Sequence, residues 1–436
     1  MSQLRIKTLY QIFLSSKGVS TDTRSIAEGQ IFFALKGPSF NGNQYASHAL
    51  ELGAMLVVID EPEFYDDSSG KYFLVDNCLS ALQDLATFHR QQSKAKILAI
   101  TGSNGKTTTK ELIGAVLKTS YNVNYTKGNL NNHIGVPLTL LELTNETQFG
   151  IIEMGANHIG EIKDLCEIAQ PDFGLITNVG SAHLEGFGSL EGVKQGKGEL
   201  YDYLRNTEGL IFINSDVPSL SEMLTNYQNV YAYSQGNNFA KGTRIEIHEQ
   251  SSGLKVVVDP EGENQAILVQ LFGMYNATNI LAAINVGHYF GVQLDNLLLA
   301  LSNYVPANKR SQVMNTKSNT VIMDAYNANP TSMGKAIEAF CKLKDKSKIV
   351  ILGDMFELGP DSIMLHKQIV DYLQANFVGD CVLVGENFCE VAPKEFDVFQ
   401  TTDDCLDHFA KSPIYDSTIL VKGSRGMKLE RVLDFL

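Results

Sequence analysis

The stretch from Lys96 to Leu112, KILAITGSNGKTTTKEL, combines the residue types that hold a nucleoside triphosphate. Its apolar start, Ile97–Ile100, predicts a buried strand, and a helical pattern follows the glycine-rich segment. Glycines let backbone N–H groups approach phosphate oxygens, and a helix N-terminus adds positive potential. We expect Lys106 to reach the β- and γ-phosphates and the Thr107 hydroxyl to bind Mg²⁺. The predicted phosphate loop comprises Gly102, Ser103, Asn104, Gly105, Lys106, Thr107 and Thr108.

The match is to a variant of the general phosphate-loop pattern, because Ile100 stands where that pattern has its first glycine. The sequence is therefore GxxGKTT after a strand. The alternative is a turn that contains glycine and lysine by coincidence, and the strand before it and the helix after it argue against that.

Two side chains downstream follow predicted strands, where open α/β sheets bind ligands. Glu153 ends an apolar strand and occupies the place expected for a second Mg²⁺ ligand. The alternative to a metal-binding role is that the Glu153 carboxylate only caps the following segment. His183 comes just after the predicted strand Phe173–Thr177, and a structural histidine is an equally open interpretation.

A chain of 436 residues is too long for one ordinary domain, and its pattern divides it into three α/β units. We predict a small N-terminal unit over residues 1–94, a central phosphate-loop unit over 95–312 and a C-terminal unit over 313–436. In the central unit, alternating residues in 241–271 indicate an antiparallel addition to a parallel sheet. In the C-terminal unit, strands alternate with helices, which is typical of a doubly wound, Rossmann-like sheet.

Composition restricts the class of protein. The net charge of −14 argues against a partner that is nucleic acid or a membrane surface. Six scattered cysteines without CxxC spacing fit reduced thiols better than disulfides or a zinc site. The N-terminus lacks a signal-peptide core, and no apolar run approaches the roughly 20 residues of a membrane span. We therefore expect a cytoplasmic protein.

Taken together, the motifs resemble those of the Mur ligases, ATP-dependent amide-forming enzymes of peptidoglycan synthesis. The resemblance covers essentially the whole chain in the same three-domain order. Besides the phosphate loop, it rests on Thr126–Pro137 (TKGNLNNHIGVP), Glu153–Ala156, Ala182–Gly188, Asp324–Met333 (DAYNANPTSM), Leu352–Gly359 (LGDMFELG) and Val421–Glu430 (VKGSRGMKLE).

The resemblance implies a small N-terminal domain that binds uridine diphosphate and a reaction in two steps. A carboxylate of UDP-N-acetylmuramoyl-tripeptide is expected to attack the ATP γ-phosphate and form an acyl phosphate. The amine of D-alanyl-D-alanine then displaces phosphate. DAYNANPTSM and LGDMFELG are the stretches similar to family members that add this dipeptide. A monomer is expected.

The resemblance also assigns roles to single residues. It places Lys106, Glu153, His183 and Lys197 in catalysis, and it implies two Mg²⁺ ions held by Thr107, Glu153, His183 and Lys197. Lys197 aligns with a lysine that is carbamylated in the family, because a carbamate supplies anionic oxygens where an ammonium would repel Mg²⁺. An unmodified surface lysine is the alternative.

Further residues are implied to bind the nucleotide or the substrates. The nucleotide set adds Asn276, Asn279, Arg310 and Asp324, while Tyr275 replaces the histidine usual in the family beside the base. Lys422 and Ser424 are candidates for the substrate tail. The alternative to a binding role is a purely structural one. Asp22 and Arg24 could be turn residues, and Asp324 and Asn329 could serve in capping or turns. The substrate set is Asp22, Thr23, Arg24, Asn129, Asn131, Asn132, Tyr326 and Asn329.

Three other functions compete with this interpretation. A sister Mur enzyme or a folylpolyglutamate-type synthase would join another carboxylate and amine. A non-catalytic nucleotide switch would bind partners without making a bond, but it has no need of a second metal site. A catalytically dead paralogue is the third, and against it every expected metal ligand is present in the sequence.

Overall fold

A computed structural model gives the arrangement of the chain. It describes residues 2–66, 68–180, 184–224, 226–235, 238–239, 243–250, 253–259, 265–306, 308–345 and 347–436. Three α/β units follow one another along the chain, and the central one carries two sheets.

The N-terminal unit is a small parallel sheet covered by helices. Its elements are α1 (Gln3–Ser15), β1 (Val19–Ser20), β2 (Ile31–Phe33), β3 (Lys36–Gly37), β4 (Phe40–Asn41), α2 (Ala46–Glu51), β5 (Leu56–Ile59), β6 (Tyr72–Leu74) and α3 (Cys78–Gln92). The sheet order is β1-β2-β5-β6, and β3 and β4 form a separate hairpin. Strands β2 and β5 are buried along their whole length because helices pack on the sheet.

The central unit is built on a six-stranded parallel sheet. Its elements are β7 (Lys96–Thr101), α4 (Lys106–Leu117), β8 (Val123–Tyr125), α5 (Gly135–Leu140), β9 (Phe149–Glu153), α6 (Glu161–Ala169), β10 (Phe173–Ile176), α7 (Leu184–Phe187), α8 (Leu190–Asn206), β11 (Leu210–Asn214), α9 (Pro218–Glu222) and β12 (Val230–Tyr233). The order β12-β11-β10-β7-β9-β8 places β7 between β9 and β10. The loops after these three strands therefore meet at one edge of the sheet.

An antiparallel sheet and two helices complete the central unit. They are β13 (Asn238–Phe239), β14 (Thr243–Gln250), β15 (Gly253–Asp259), β16 (Gln265–Val269), α10 (Ala277–Tyr289) and α11 (Leu294–Ser302). The order is β13-β14-β15-β16. The inner face of this antiparallel sheet shares a hydrophobic core with α4, α10 and one side of the parallel sheet. A short 3-10 turn, Met274–Asn276, leads from β16 into α10.

The C-terminal unit is a mixed six-stranded sheet with helices on both faces. Its elements are β17 (Gln312–Asn315), β18 (Thr320–Asp324), α12 (Pro330–Lys342), β19 (Lys348–Gly353), α13 (Ser362–Asn376), β20 (Asp380–Val384), α14 (Glu386–Val391), β21 (Asp397–Phe399), α15 (Thr402–Lys411) and β22 (Thr418–Lys422). In the order β17-β18-β22-β19-β20-β21, only β17 is antiparallel to its neighbour.

The predicted fold class is confirmed in each unit: a small α/β unit, a parallel phosphate-loop sheet with an antiparallel addition, and a doubly wound C-terminal sheet. The residue boundaries at 94/95 and 312/313 stay predictions. Within the described ranges, no helix combines the length and apolarity needed to cross a bilayer.

Candidate functional site

The phosphate loop lies between β7 and α4, and two of its glycines have backbone conformations that other residues rarely adopt. Gly102 has φ 140° and Gly105 has φ 81°. A Cβ atom on Gly102 would lie 2.0 Å from the Thr177 hydroxyl, and one on Gly105 would lie 2.5 Å from Oδ1 of Asn279. Both positions therefore require glycine, and the loop backbone stays open toward a ligand.

Hydrogen bonds from the loop after β10 fix the shape of the phosphate loop. Asn104 N–H donates to Asn178 Oδ1 at 3.0 Å, while the carbonyl of Asn104 accepts from the Thr177 hydroxyl at 2.6 Å. The Ser103 hydroxyl donates to the Gly180 carbonyl at 2.9 Å. These bonds hold the loop in one conformation, so little ordering remains to be done when an anion binds.

Lys106 folds back over this loop. Its ammonium donates to the carbonyls of Gly102 at 2.6 Å and Ser103 at 3.3 Å. Desolvation, helped by the positive charge of Arg310 and opposed by Glu153, lowers the pKa of Lys106 to about 8. The ammonium is thus held at the loop mouth, where a phosphate could replace the carbonyls as its partner.

Glu153 ends β9 and lies beneath the start of α4, buried to 1 % exposure. Its Oε1 accepts from the Thr107 hydroxyl at 3.0 Å and from the Asn131 amide at 2.9 Å. Its Oε2 lies 3.4 Å from the ammonium of Lys110. Burial raises the pKa of Glu153, but the charges of Lys110, Arg310 and Lys106 outweigh it and hold the pKa below its ordinary value. The structure thus keeps an ionised carboxylate beside Thr107.

Lys197, on α8, is also 1 % exposed, so it is not a solvated surface lysine. Its amine donates to the Ala156 carbonyl at 3.1 Å and lies 5.0 Å from the centre of the Phe187 ring. Burial, together with the charge of Lys106, brings the pKa of Lys197 well below its ordinary value. Burial therefore shifts Lys197 toward the neutral amine relative to an exposed lysine.

Asn276 and Asn279 join the phosphate loop to the start of α10. Asn279 accepts from the Thr109 hydroxyl at 3.0 Å and donates to Asn276 Oδ1 at 2.8 Å, and Asn276 donates to the Phe272 carbonyl at 2.8 Å. Next to them, the Tyr275 hydroxyl lies 2.8 Å from that of Ser311. This chain of contacts leads from the phosphates toward the C-terminal unit.

The segment that joins the central and C-terminal units carries Arg310. Its neighbours Lys309 and Ser311 have positive φ angles of 58° and 50°. The guanidinium carbon lies 3.9 Å from the centre of the Tyr326 ring, and the buried Nε has no hydrogen-bond partner among the described residues. Arg310 is thus stacked in place with donor capacity left for a ligand.

Asp324 and Lys422 form a buried ion pair at the ends of β18 and β22. Their atoms Oδ2 and Nζ are 2.6 Å apart, and the other carboxylate oxygen accepts from Ser311 N–H at 3.0 Å. This pair fixes the joining segment to the C-terminal sheet. Asp324 also lines the same cavity as Arg310, and its predicted role in binding the nucleotide stays a prediction.

One cavity of about 1240 Å³ lies between the central and C-terminal units. The phosphate loop, Glu153 and the three asparagines Asn129, Asn131 and Asn132 line it from the central unit. Tyr326, Asn329 and Lys422 line it from the other. Asn329 caps α12 through Ser332 N–H, and its amide also donates to Asn104 Oδ1 at 2.9 Å, which links the two units directly.

The structure does not bring every predicted residue to this cavity. Asp22 caps the turn Thr23–Ser25 and forms an ion pair with Arg24 at 2.7 Å, and none of these three residues lines the cavity. They form a self-contained turn of the N-terminal unit. His183 lies outside the described residues, so its predicted role stays a prediction.

The chain is similar over nearly its whole length to proteins of one family. Family models match it in succession: "Mur ligase family, catalytic domain" over residues 15–90, "Mur ligase middle domain" over 100–287 and "Mur ligase, glutamate ligase domain" over 309–425. A relative from Bacillus subtilis, named UDP-N-acetylmuramoyl-tripeptide--D-alanyl-D-alanine ligase, is 35% identical, covering 95% of this chain and 92% of that protein. The chain belongs to the Mur ligase family.

Solved structures of Mur ligases share the three-unit arrangement. A MurF structure from Acinetobacter baumannii aligns with a TM-score of 0.84 at 28% identity, over 98% of this chain and 97% of the other. A MurF ligase from Thermotoga maritima, solved in complex with ADP, aligns with a TM-score of 0.83 at 25% identity, over 97% of each chain.

The oxygen atoms of Glu153 and Thr107 in this Mur ligase suit a magnesium ion that also binds phosphate. Glu153 Oε2 is a buried carboxylate oxygen that accepts no hydrogen bond among the described residues, although the Lys110 ammonium lies 3.4 Å from it. Thr107 places a hydroxyl beside the same carboxylate. The described part of the chain contains no cluster of three His, Cys, Asp or Glu side chains. That is compatible with Mg²⁺, which usually takes few protein ligands and keeps water and phosphate oxygens.

Sequence reasoning missed Lys110 and the anchoring loop after β10. Lys110 lies one helical turn beyond Lys106 and is 0 % exposed, although a lysine in this pattern is ordinarily solvated. Its spacing of four residues from Lys106 places both on the helix face toward Glu153, and this was the available signal. Nothing local marks Thr177 and Asn178 as partners of Asn104.

Proposed function

We propose that the protein is an ATP-dependent ligase that joins D-alanyl-D-alanine to UDP-N-acetylmuramoyl-tripeptide, in cytoplasmic synthesis of a peptidoglycan precursor. The observation that carries this proposal is the shared cavity. The phosphate loop and the buried Glu153 line it from one unit, and the DAYNANPTSM segment, which begins at Asp324, lines it from the other. The full-length similarity to ligases of that name supports the same substrates.

The reaction brings a carboxylate toward the γ-phosphate of ATP, so positive charge has to lie between two anions. The carboxylate oxygen attacks the γ-phosphorus, ADP leaves, and an acyl phosphate forms. The amine then attacks the acyl carbon, loses a proton and expels phosphate, which leaves the amide. Lys106 and Arg310 would bind phosphate oxygens in both steps, and their desolvated positions strengthen that interaction.

Mg²⁺ would be held by the Thr107 hydroxyl and the Glu153 carboxylate, and it would neutralise phosphate charge there. We further propose a second Mg²⁺, held by His183 and by Lys197 in its carbamate form. A carbamate forms when a neutral amine attacks CO₂ and loses a proton. The buried position of Lys197 supports this step because burial favours the neutral amine.

The two substrates would be bound by different parts of the chain. Asn129, Asn131 and Asn132 would face the UDP-muramoyl peptide, while Tyr326 and Asn329 would face the dipeptide. Asp22, Thr23 and Arg24 would contact uridine diphosphate from the N-terminal unit, and this contact depends on how that unit closes on the other two. Asn276, Asn279 and Asp324 would complete the nucleotide site.

The test is phosphate release from Mg·ATP in the presence of both substrates, with each omitted in turn. We expect phosphate release only when Mg·ATP and both substrates are present. Mass spectrometry should then detect a UDP-muramoyl pentapeptide as the product. Lys106→Met should abolish release, whereas Lys118→Met, an exposed lysine just beyond the same helix, should not. Release with glutamate or one amino acid in place of the dipeptide would move the protein to a sister ligase. Nucleotide binding without release would favour a switch.

A further inference from the structure

Glu249 is a carboxylate on the buried face of β14. Alternation along the strand places it on the same side as Ile245 and Ile247, which are 1 % and 2 % exposed, and its partner in the register is the buried Leu254. Its Oε1 is buried and has no hydrogen-bond donor among the described residues. An unsatisfied buried carboxylate oxygen costs stability, so its presence on this face needs a reason.

This carboxylate lines the ligase cavity, as Lys106 does. The 3-10 turn Met274–Asn276 packs against both β14 and α12, which brings Glu249 and Tyr275 together. The path from the phosphate loop to this place runs through Asn279 and Asn276, as described above. A nucleotide whose phosphates occupy the loop would bring its base to Glu249 if the base lay along that path.

The walls at this end suit a purine. Met274, Val217 and Ala339 supply apolar surface, and Tyr275 supplies a ring. A purine base is flat and apolar on its faces, with hydrogen-bonding groups only at its edges. The one group in adenine that only donates hydrogen bonds is its 6-amino group. Among the described residues, Glu249 Oε1 is a buried acceptor beside Tyr275 that has no donor.

We infer that Glu249 accepts a hydrogen bond from the 6-amino group of adenine and thereby selects adenine over 6-oxo purine nucleotides. Hypoxanthine and guanine carry a carbonyl oxygen at this position, which a carboxylate repels. The inference rests on the proposed function only in requiring a nucleotide in this cavity. Lys342 is the nearby cation that could otherwise pair with Glu249, but it is bound to Glu338 at 2.8 Å.

The test compares ADP with IDP, which differ at the 6-position, by calorimetric titration of the full chain with Mg²⁺. We expect wild-type protein to bind ADP about 10- to 100-fold more tightly, the range for a hydrogen bond to a charged group. Glu249→Ala should reduce this ratio to near one. Glu249→Gln should also reduce it at least tenfold, because an amide can accept from the amino group or donate to the carbonyl.

The control is Glu246→Ala, which removes a carboxylate from the opposite face of the same strand, where Glu246 pairs with Arg244 at 3.2 Å. It should leave the ratio unchanged. Because the ratio compares two ligands on one protein, a general loss of folding or a change in net charge cancels. Equal ADP and IDP affinities in wild type, or an unchanged ratio in Glu249→Ala, would overturn the inference.

These results also separate the inference from the proposed function. Failure to form the pentapeptide would refute the ligase proposal but leave the ADP to IDP ratio as a valid measurement. Binding of neither nucleotide by the wild-type protein would overturn both.

Discussion

Lys110→Met is the substitution whose effect follows most directly from the structure. It removes the cation that lies 3.4 Å from Oε2 of Glu153, and both side chains are 1 % exposed. Two unit charges at this distance attract by roughly 5 kcal/mol at an effective dielectric constant of about 20. Removing one partner of a buried pair costs about 3–5 kcal/mol, because the other charge stays buried.

We expect a cost near the lower end, about 3 kcal/mol, because Arg310 and Lys106, whose charges also lower the pKa of Glu153, remain in the variant. For a folded unit of this size, that corresponds to a fall of roughly 6–12 °C in the unfolding midpoint. The assay is differential scanning calorimetry of the full chain, in which the transition that ADP raises in wild type identifies the central unit.

The control and the double variant decide the interpretation. Lys118→Met removes an exposed lysine that lies over Tyr125, at 4.3 Å, but has no carboxylate partner in the described part of the chain, so it should shift the midpoint little. Lys110→Met combined with Glu153→Gln should cost less than the sum of the single variants by about 2 kcal/mol. Additive single costs, or a Lys110→Met midpoint equal to that of Lys118→Met, would refute the buried ion pair.

Three further predictions follow from other parts of the molecule. Lys197→Ala should lower ligase activity by about 100-fold or more. Added short carboxylates should restore part of this activity, because they replace the carbamate oxygens. Full activity of the variant without added carboxylate would contradict the carbamate proposal. Gly105→Ala should abolish ADP binding, because its Cβ would meet Asn279 at 2.5 Å, whereas Gly70→Ala, at φ +63° with nothing within 4 Å, should bind ADP normally. Burial lowers the pKa of His366, so the folded state disfavours its charged form. Stability should therefore fall as the pH drops below about 6.5, the ordinary histidine value. The unfolding midpoint, measured between pH 7.5 and 5.5, should fall less in His366→Asn than in the wild-type protein, and equal pH slopes would contradict this.

The sequence by itself determined the local machinery. The strand, glycine loop and helix at Lys96–Leu117 follow from short-range preferences: an apolar run, two glycines at positive φ and a helix N-terminus. The antiparallel addition was predictable from alternation in 241–271, and the C-terminal sheet from alternating strands and helices. The antiparallel edge strand β17 and the short elements α14 and β21 were not predicted, because elements of three to six residues carry too little periodicity.

Only the tertiary structure decided which polar side chains act together. Asp324 and Lys422 are 98 residues apart in sequence and become neighbours because β18 and β22 pair in parallel register. Lys110 and Glu249 have the residue types of a solvated surface, and only the packing of α4 and β14 buries Lys110 and the Oε1 atom of Glu249. Local sequence reports backbone preference and periodicity, whereas burial and charge pairing depend on which elements meet. The phosphate loop was therefore evident from the sequence, but the ion pairs and the acceptor around it required the fold.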